Sequence, residues 1–164
     1  MKNNAIKNLV WAIVALAPLL VLTAIWRTLP AIVPTHFGLH GPDQYGPKSS
    51  LYFISGFVSA ITVGVYFLLQ NIHKLDPKRQ SATLLPIFNK MAIGLVLFMA
   101  ALNTLVVLMS VGNYHLERFM VPLIGLLFAF LGYVMKDTPP NYFAGIKLPW
   151  TLHSDYNWKK THTL

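Results

Sequence analysis

The sequence predicts an all-α fold: an integral membrane bundle of about four transmembrane helices, with a compact outer loop segment and a cytoplasmic interfacial tail. Three observations lead there. Apolar residues make up 55% of the 164-residue chain and charged residues only 11%, where a soluble domain carries roughly 25% charge. The apolar residues come in long blocks with the charges between them. Each block is close to the about 20 residues that cross a bilayer core. Disorder needs high polarity and is excluded.

The first block runs from Leu9 to Trp26, after Lys2 and Lys7 and before Arg27. A secretory leader has a similar charged start, but its apolar core is roughly 7–15 residues long and ends in a small-x-small cleavage site. This block is longer, and Ile25-Trp26-Arg27 is a poor cleavage site, so a retained helix is expected. Pro18 should kink it, as membranes tolerate, and Trp26 should lie at the interface. The second block runs from Leu51 to Leu69, the third from Met91 to Val111 and the fourth from Phe119 to Met135. These blocks divide the chain into a first helical hairpin (1–70) carrying an extracytoplasmic Pro/Gly/His segment (28–50), a second hairpin (71–135) and a cytoplasmic tail (136–164).

Orientation follows from Lys and Arg. Lys2, Lys7, Lys74, Lys78, Arg79, Lys90, Lys136, Lys147, Lys159 and Lys160 fall on one side; Arg27, Lys48 and Arg118 fall on the other. Ten against three places both termini of a multi-pass membrane protein in the cytoplasm. The net charge of +8 thus reads as topology signal and headgroup contact, and direct nucleic-acid binding is not expected. There is no cysteine, hence no disulfide framework and no thiolate metal site. No cofactor is expected.

Within the blocks, Asn103 and Thr104 lie near the middle of the third, and Gly125 and Gly132 share a face of the fourth. Helix packing is the favoured reading, with small residues allowing close approach and Asn bonding across helices. A polar substrate pathway is the alternative. No block carries a central charge, which argues against ion coupling.

Two segments are not ordinary loops. Residues 29–48 are too long for a plain hairpin between membrane helices and too rich in Pro and Gly for a helix. Gly41-Pro42 and Tyr45-Gly46-Pro47 read as successive turns. His36 and His40 lie four apart with Asp43 close by, and the outer loop between the third and fourth blocks adds His115 and Glu117. A metal site drawn from these five is chemically open to them, but no strong ligand signature is present; turn capping by Asp43 and interfacial hydrogen bonding by His is the plainer reading. The second segment is the tail, where aromatic residues alternate with basic and breaker residues. Trp150 and Trp158 beside Lys147, Lys159 and Lys160 suit a membrane interface. Residues 154–161 fit a short interfacial helix with Ser154 as its N-cap. Passive lipid contact and a docking surface for a partner are both open readings of this tail.

The tail also carries a resemblance. It is similar to the signature of the SdpI family of bacterial membrane immunity proteins, close to Pro-Asn-x-x-x-Gly-Ile-Arg-Thr-Pro-Trp-Thr-Leu and then Trp-x-x-Thr-His. Pro140, Asn141, Gly145, Ile146, Pro149, Trp150, Thr151, Leu152, Trp158, Thr161 and His162 match it, with Lys147 where Arg is usual and Leu148 where Thr is usual. The outer segment resembles the domain of unknown function that often precedes this signature, through Leu29, Pro30, Val33, Pro34, His36, Gly41, Asp43, Gly46 and Lys48. Family members usually continue past Thr-His into Arg-Leu-Gly-Gly and two further transmembrane helices, whereas this sequence ends at Thr163-Leu164. A shortened member, a half-length paralogue or a piece of a longer chain is therefore expected.

The resemblance implies no catalysis. It implies a bacterial cell membrane as the location, and immunity to a secreted peptide toxin, membrane sequestration of a transcriptional repressor, or both, as the function. The toxin would meet the outer segment, at His36, Gly41, Asp43, Gly46 and Lys48. The repressor would meet the tail, at Pro140, Asn141, Gly145, Lys147, Pro149, Trp150, Thr151, Trp158, Thr161 and His162. The alternatives are an outward-facing metal-dependent enzyme on His36, Asp43, His115 and Glu117, and a small transporter subunit suggested by Asn103 and Pro18.

Overall fold

A computed structural model gives the architecture and describes residues 2–38, 41–75, 84–112, 114–136, 138–141 and 144–163. Its elements in order are α1 (Lys2–Ala24), β1 (Ile32–Gly38), β2 (Gly41–Pro47), α2 (Ser50–Leu75), α3 (Leu85–Met109), a 3-10 helix (Tyr114–Phe119), α4 (Met120–Met135), α5 (Pro149–Leu152) and α6 (Asp155–His162). Four helical stretches are long and apolar enough to cross a membrane: Ala5–Ala24, Ser50–Ile72, Leu85–Met109 and His115–Met135. They coincide with the four blocks. Pro18 lies inside α1.

The first three helices pack on one another, while α4 packs chiefly on α3 and on the 3-10 helix that leads into it. Three apolar clusters stack along the bundle. At one end Leu22, Leu29, Val33, Leu51 and Val107 are buried together. In the middle lie Ala15, Tyr66, Ala92 and Val96. At the other end Leu84, Phe88 and Ala144 join Leu69 and Ile72. Leu51 and Leu69 are eighteen residues apart on one helix, which separates the end clusters by about 27 Å.

Polar contacts join helices inside the bundle, where lipid offers no partner. Asn103 is buried, and its Nδ2 donates to the Ser55 carbonyl at 3.1 Å and to Ser59 Oγ at 3.3 Å. The Tyr66 hydroxyl donates to Asn8 Oδ1 at 3.0 Å. The packing reading of Asn103 fits these bonds. Gly125 and Gly132 do not serve that purpose: both are exposed, and a Cβ added to either meets nothing within 4 Å. The close approach is made by Gly94 of α3, where an added Cβ would fall 2.1 Å from Phe130 Cε1 of α4.

Residues 29–48 are corrected as well. They are not a run of turns but an antiparallel β-hairpin, registered Ile32↔Pro47, Val33↔Gly46, Pro34↔Tyr45, His36↔Gln44, Phe37↔Pro42 and Gly38↔Gly41. The register skips Thr35 on β1 and Asp43 on β2, so each strand carries a bulge. Both strands of a two-stranded sheet are edges, so Pro34, Pro42 and Pro47 are tolerated there. Val33 anchors the hairpin by inserting between Leu22, Leu29, Leu51 and Val107.

Candidate functional site

The outer and tail segments sit at opposite ends of the bundle. In the hairpin, the bulge at Asp43 turns its carboxylate back to β1, where Oδ1 lies 2.6 Å from His36 Nδ1. With a carboxylate as partner, Nδ1 holds the proton and donates it, which leaves Nε2 of His36 as the acceptor nitrogen of the ring. Both side chains are more than half exposed, at 60% and 51%. A pair this open contributes little to stability. Asp43 orients the histidine ring; a turn cap by Asp43 would involve residues 39–40, which lie outside the described residues.

Three other outer residues explain themselves through the hairpin's geometry. Gly41 takes φ +107°, in the left-handed region. At Gly46 an added Cβ would come within 3.0 Å of the Thr35 methyl group. Lys48 staples the hairpin to α1: its Nζ donates to the Trp26 carbonyl at 3.3 Å and lies 4.6 Å from the Trp26 ring centre. Trp26 in turn packs on Tyr52 with ring centres 4.8 Å apart.

Of the five weak metal candidates, the four described ones do not gather into a ligand set. His36 and Asp43 meet. Glu117 Oε2 comes within 3.9 Å of the Cβ position at Gly41, and His115 is exposed on the 3-10 helix. Position 40 lies outside the described residues. Among the described residues no three His, Asp or Glu side chains gather as ligands.

At the other end the tail forms a folded unit of its own. Asn141 is buried, with Nδ2 donating to the Pro139 and Ala144 carbonyls at 2.8 and 3.0 Å and Oδ1 accepting from the Ala144 amide at 2.8 Å. Gly145 follows at φ +130°, and an added Cβ there would lie 2.6 Å from Trp158 Cη2 and 2.8 Å from His162 Nε2. Pro149 occupies the first turn of α5, where its missing amide costs nothing. Thr151 is fully buried; its Oγ1 accepts from the Leu148 amide at 2.9 Å and reaches the Ile146 carbonyl at 2.8 Å. Ser154 caps α6 by accepting from the Asn157 amide at 3.3 Å, as its sequence position predicts. Thr161 returns its hydroxyl to the Asn157 carbonyl.

Trp158 is the centre of this unit. It is 2% exposed, and its Nε1 donates to the Thr138 carbonyl at 2.7 Å. The expectation that it lies at the lipid interface is therefore corrected: it is a core residue of the tail. His162 stacks on it with ring centres 4.3 Å apart. Nε2 of His162 accepts the Ile146 amide at 2.8 Å while Nδ1 faces the Trp158 carbonyl at 2.9 Å. Those two partners assign the neutral ring with its proton on Nδ1. Trp150 differs from the rest. It is 60% exposed, with only its carbonyl engaged by Asn157 Nδ2 at 3.3 Å. Pro140 and Lys147 are also on the surface.

Sequence reasoning missed two contributors here, the Thr138 carbonyl and the Leu84–Phe88 face of α3 that receives Ala144. The first had no signal, since a main-chain acceptor has no identity. The second is part of an apolar helix that looks alike on all sides.

The two segments are those that family comparison singles out. A domain of unknown function (DUF1648) matches residues 13–58, which cover the hairpin and its flanking helices. The SdpI/YfhL protein family matches residues 137–164, the unit built around Trp158. These two matches support an SdpI-type membrane protein. No curated protein and no solved structure gives a significant match. Most of the tail signature is accounted for by folding: Asn141, Gly145, Thr151, Trp158 and His162 hold the unit together, and Trp150 is the matched aromatic left on its surface.

Proposed function

We propose that the chain is a non-enzymatic receptor and immunity protein of a bacterial cell membrane, with both termini in the cytoplasm. On this reading it meets a secreted peptide toxin through the hairpin outside and holds a transcriptional repressor through the tail inside. The observation that carries the proposal is the exposure of Trp150. A signature whose other large aromatic is sealed inside the unit leaves this one in the open. Trp is among the residues most enriched as interface anchors. Charge supports the orientation, because ten of the thirteen basic residues lie on the tail's side. The hairpin offers an exposed histidine held by Asp43, on a β-edge that an extended peptide can pair with.

The test is genetic. Deletion of the gene should sensitise cells to at least one membrane-active peptide from a broad panel. In the complemented strain, Trp150→Ala should leave the protein at wild-type level in the membrane and abolish the peptide-induced transcriptional response, read by RNA sequencing. Truncating an interface anchor costs about 2 kcal/mol or more, roughly thirtyfold in affinity. A deletion strain with unchanged sensitivity to every peptide would remove the proposal's main support.

A further inference from the structure

A groove of about 630 Å³ runs between α3 and α4. Its walls are apolar, with Leu97, Phe98 and Ala101 on one side and Leu126 and Phe130 on the other. The single charged residue that lines it is Lys90. At one edge of the groove Phe130 of α4 packs against the bare backbone of Gly94 on α3.

Lys90 lies at the end of the bundle that bears the tail, two residues from Phe88 and the cluster it shares with Ala144. From Lys90 to Ala101 is eleven residues of helix, a rise of about 16 Å. Half of a hydrocarbon core of about 30 Å is 15 Å. The groove is therefore one leaflet deep, with a cation at headgroup level and hydrocarbon below it. Among the described residues the only acidic side chain in an ion pair is Asp43, at the far end. A neighbouring transmembrane helix seated here would cover Lys90 and leave its charge without a counter-ion, which membranes penalise. A lipid would bring the counter-ion with it.

We infer that the α3–α4 groove is a binding site for one anionic phospholipid, its phosphate at Lys90 and an acyl chain between Leu97 and Leu126. The site does not depend on what the hairpin or the tail recognises.

The test uses the full chain purified in mild detergent, with bound lipid measured by native mass spectrometry after addition of phosphatidylglycerol or phosphatidylcholine. The expected result is retention of one phosphatidylglycerol per chain at concentrations where phosphatidylcholine washes away. A juxtamembrane lysine strengthens attachment to an anionic headgroup by about fivefold, so Lys90→Gln should weaken phosphatidylglycerol retention by about that factor while Lys90→Arg keeps it. Leu97→Trp, which fills the groove, should abolish retention. Equal retention of the two lipids by the unaltered chain would overturn the inference and needs no variant. Retention unaffected by both Lys90→Gln and Leu97→Trp would overturn it too. So would a lipid-free dimer that cross-links through Leu126.

Discussion

At the scale of single residues, the tail shows how a signature can be specific without each of its members touching a partner. Gly145 is the sharpest case. Its φ of +130° is open to glycine and strained for other residues, and the space where a Cβ would sit is taken by Trp158 and His162. Backbone strain alone costs about 1–3 kcal/mol at such a position, and displacing Trp158 adds to it by breaking the bond to the Thr138 carbonyl. Gly145→Ala should therefore loosen the tail while the membrane helices stay folded. Limited trypsin digestion in detergent reads this, because cleavage at Lys159 and Lys160 follows the population of the opened tail. Tryptic loss of the tail should be at least tenfold faster in the variant, and an unchanged rate would mean that the Gly145 contact does not hold the unit. At this scale the sequence was legible in pattern and ambiguous in meaning. The spacing of Asn141, Gly145, Thr151, Trp158 and His162 marked them as special, but spacing does not separate a residue that binds a partner from one that binds its own backbone. Trp150 and Trp158 look alike in sequence, both beside lysines, and only packing tells the buried one from the exposed one.

At the scale of elements, the four helices were legible because lipid imposes one rule on every residue in a span. A long apolar block has few alternatives there. The hairpin was not legible, because its strands lack the β-branched alternation that marks a strand. Its stability comes from docking of Val33 at the bundle end and from Lys48 on Trp26, both tertiary contacts. Helix pairing was the least readable part. Gly125 and Gly132 share a face and favour the packing reading, but among the described residues no atom lies within 4 Å of a Cβ added to either, while Gly94 sits under Phe130. Small residues permit close approach without saying which helix approaches. A pair of alanine substitutions separates the two cases. Gly94→Ala would push Phe130 away and should destabilise the α3–α4 pairing by about 1–3 kcal/mol, the usual cost of overpacking. Gly125→Ala should be neutral, or stabilising by up to about 1 kcal/mol through helix propensity. Thermal unfolding in the same detergent measures both, and equal effects at the two sites would mean that α4 does not meet α3 through Gly94.

At the scale of the whole molecule, the separation of two unlike modules by the thickness of a membrane decides what the protein can do. The hairpin is tied to the bundle end that holds Leu51 and Val107, and the tail to the end that holds Leu69 and Phe88. Neither can cross to the other side without moving a helix through lipid. A link between a ligand at His36 and a partner at Trp150 would have to pass along the helices, of which α2 and α3 run from one module to the other and are joined by Asn103 on Ser55 and Ser59, one turn from the Leu51–Val107 cluster. The charge asymmetry predicts which module faces which compartment. The chain has no cysteine, so single cysteines can be placed without background. In intact cells, Tyr45→Cys on the exposed β2 strand should react with a membrane-impermeant maleimide, and Lys160→Cys on α6 should react only after the membrane is opened. Both positions are on the surface, so a lack of reaction reports the membrane and not burial. Labelling of Lys160→Cys from outside would reverse the orientation and turn the hairpin, with its His36–Asp43 pair, toward the cytoplasm, where no secreted peptide could reach it. Labelling of both from outside would place the two modules on one face, against the antiparallel run of α1 to α4 and the span of about 27 Å between their clusters.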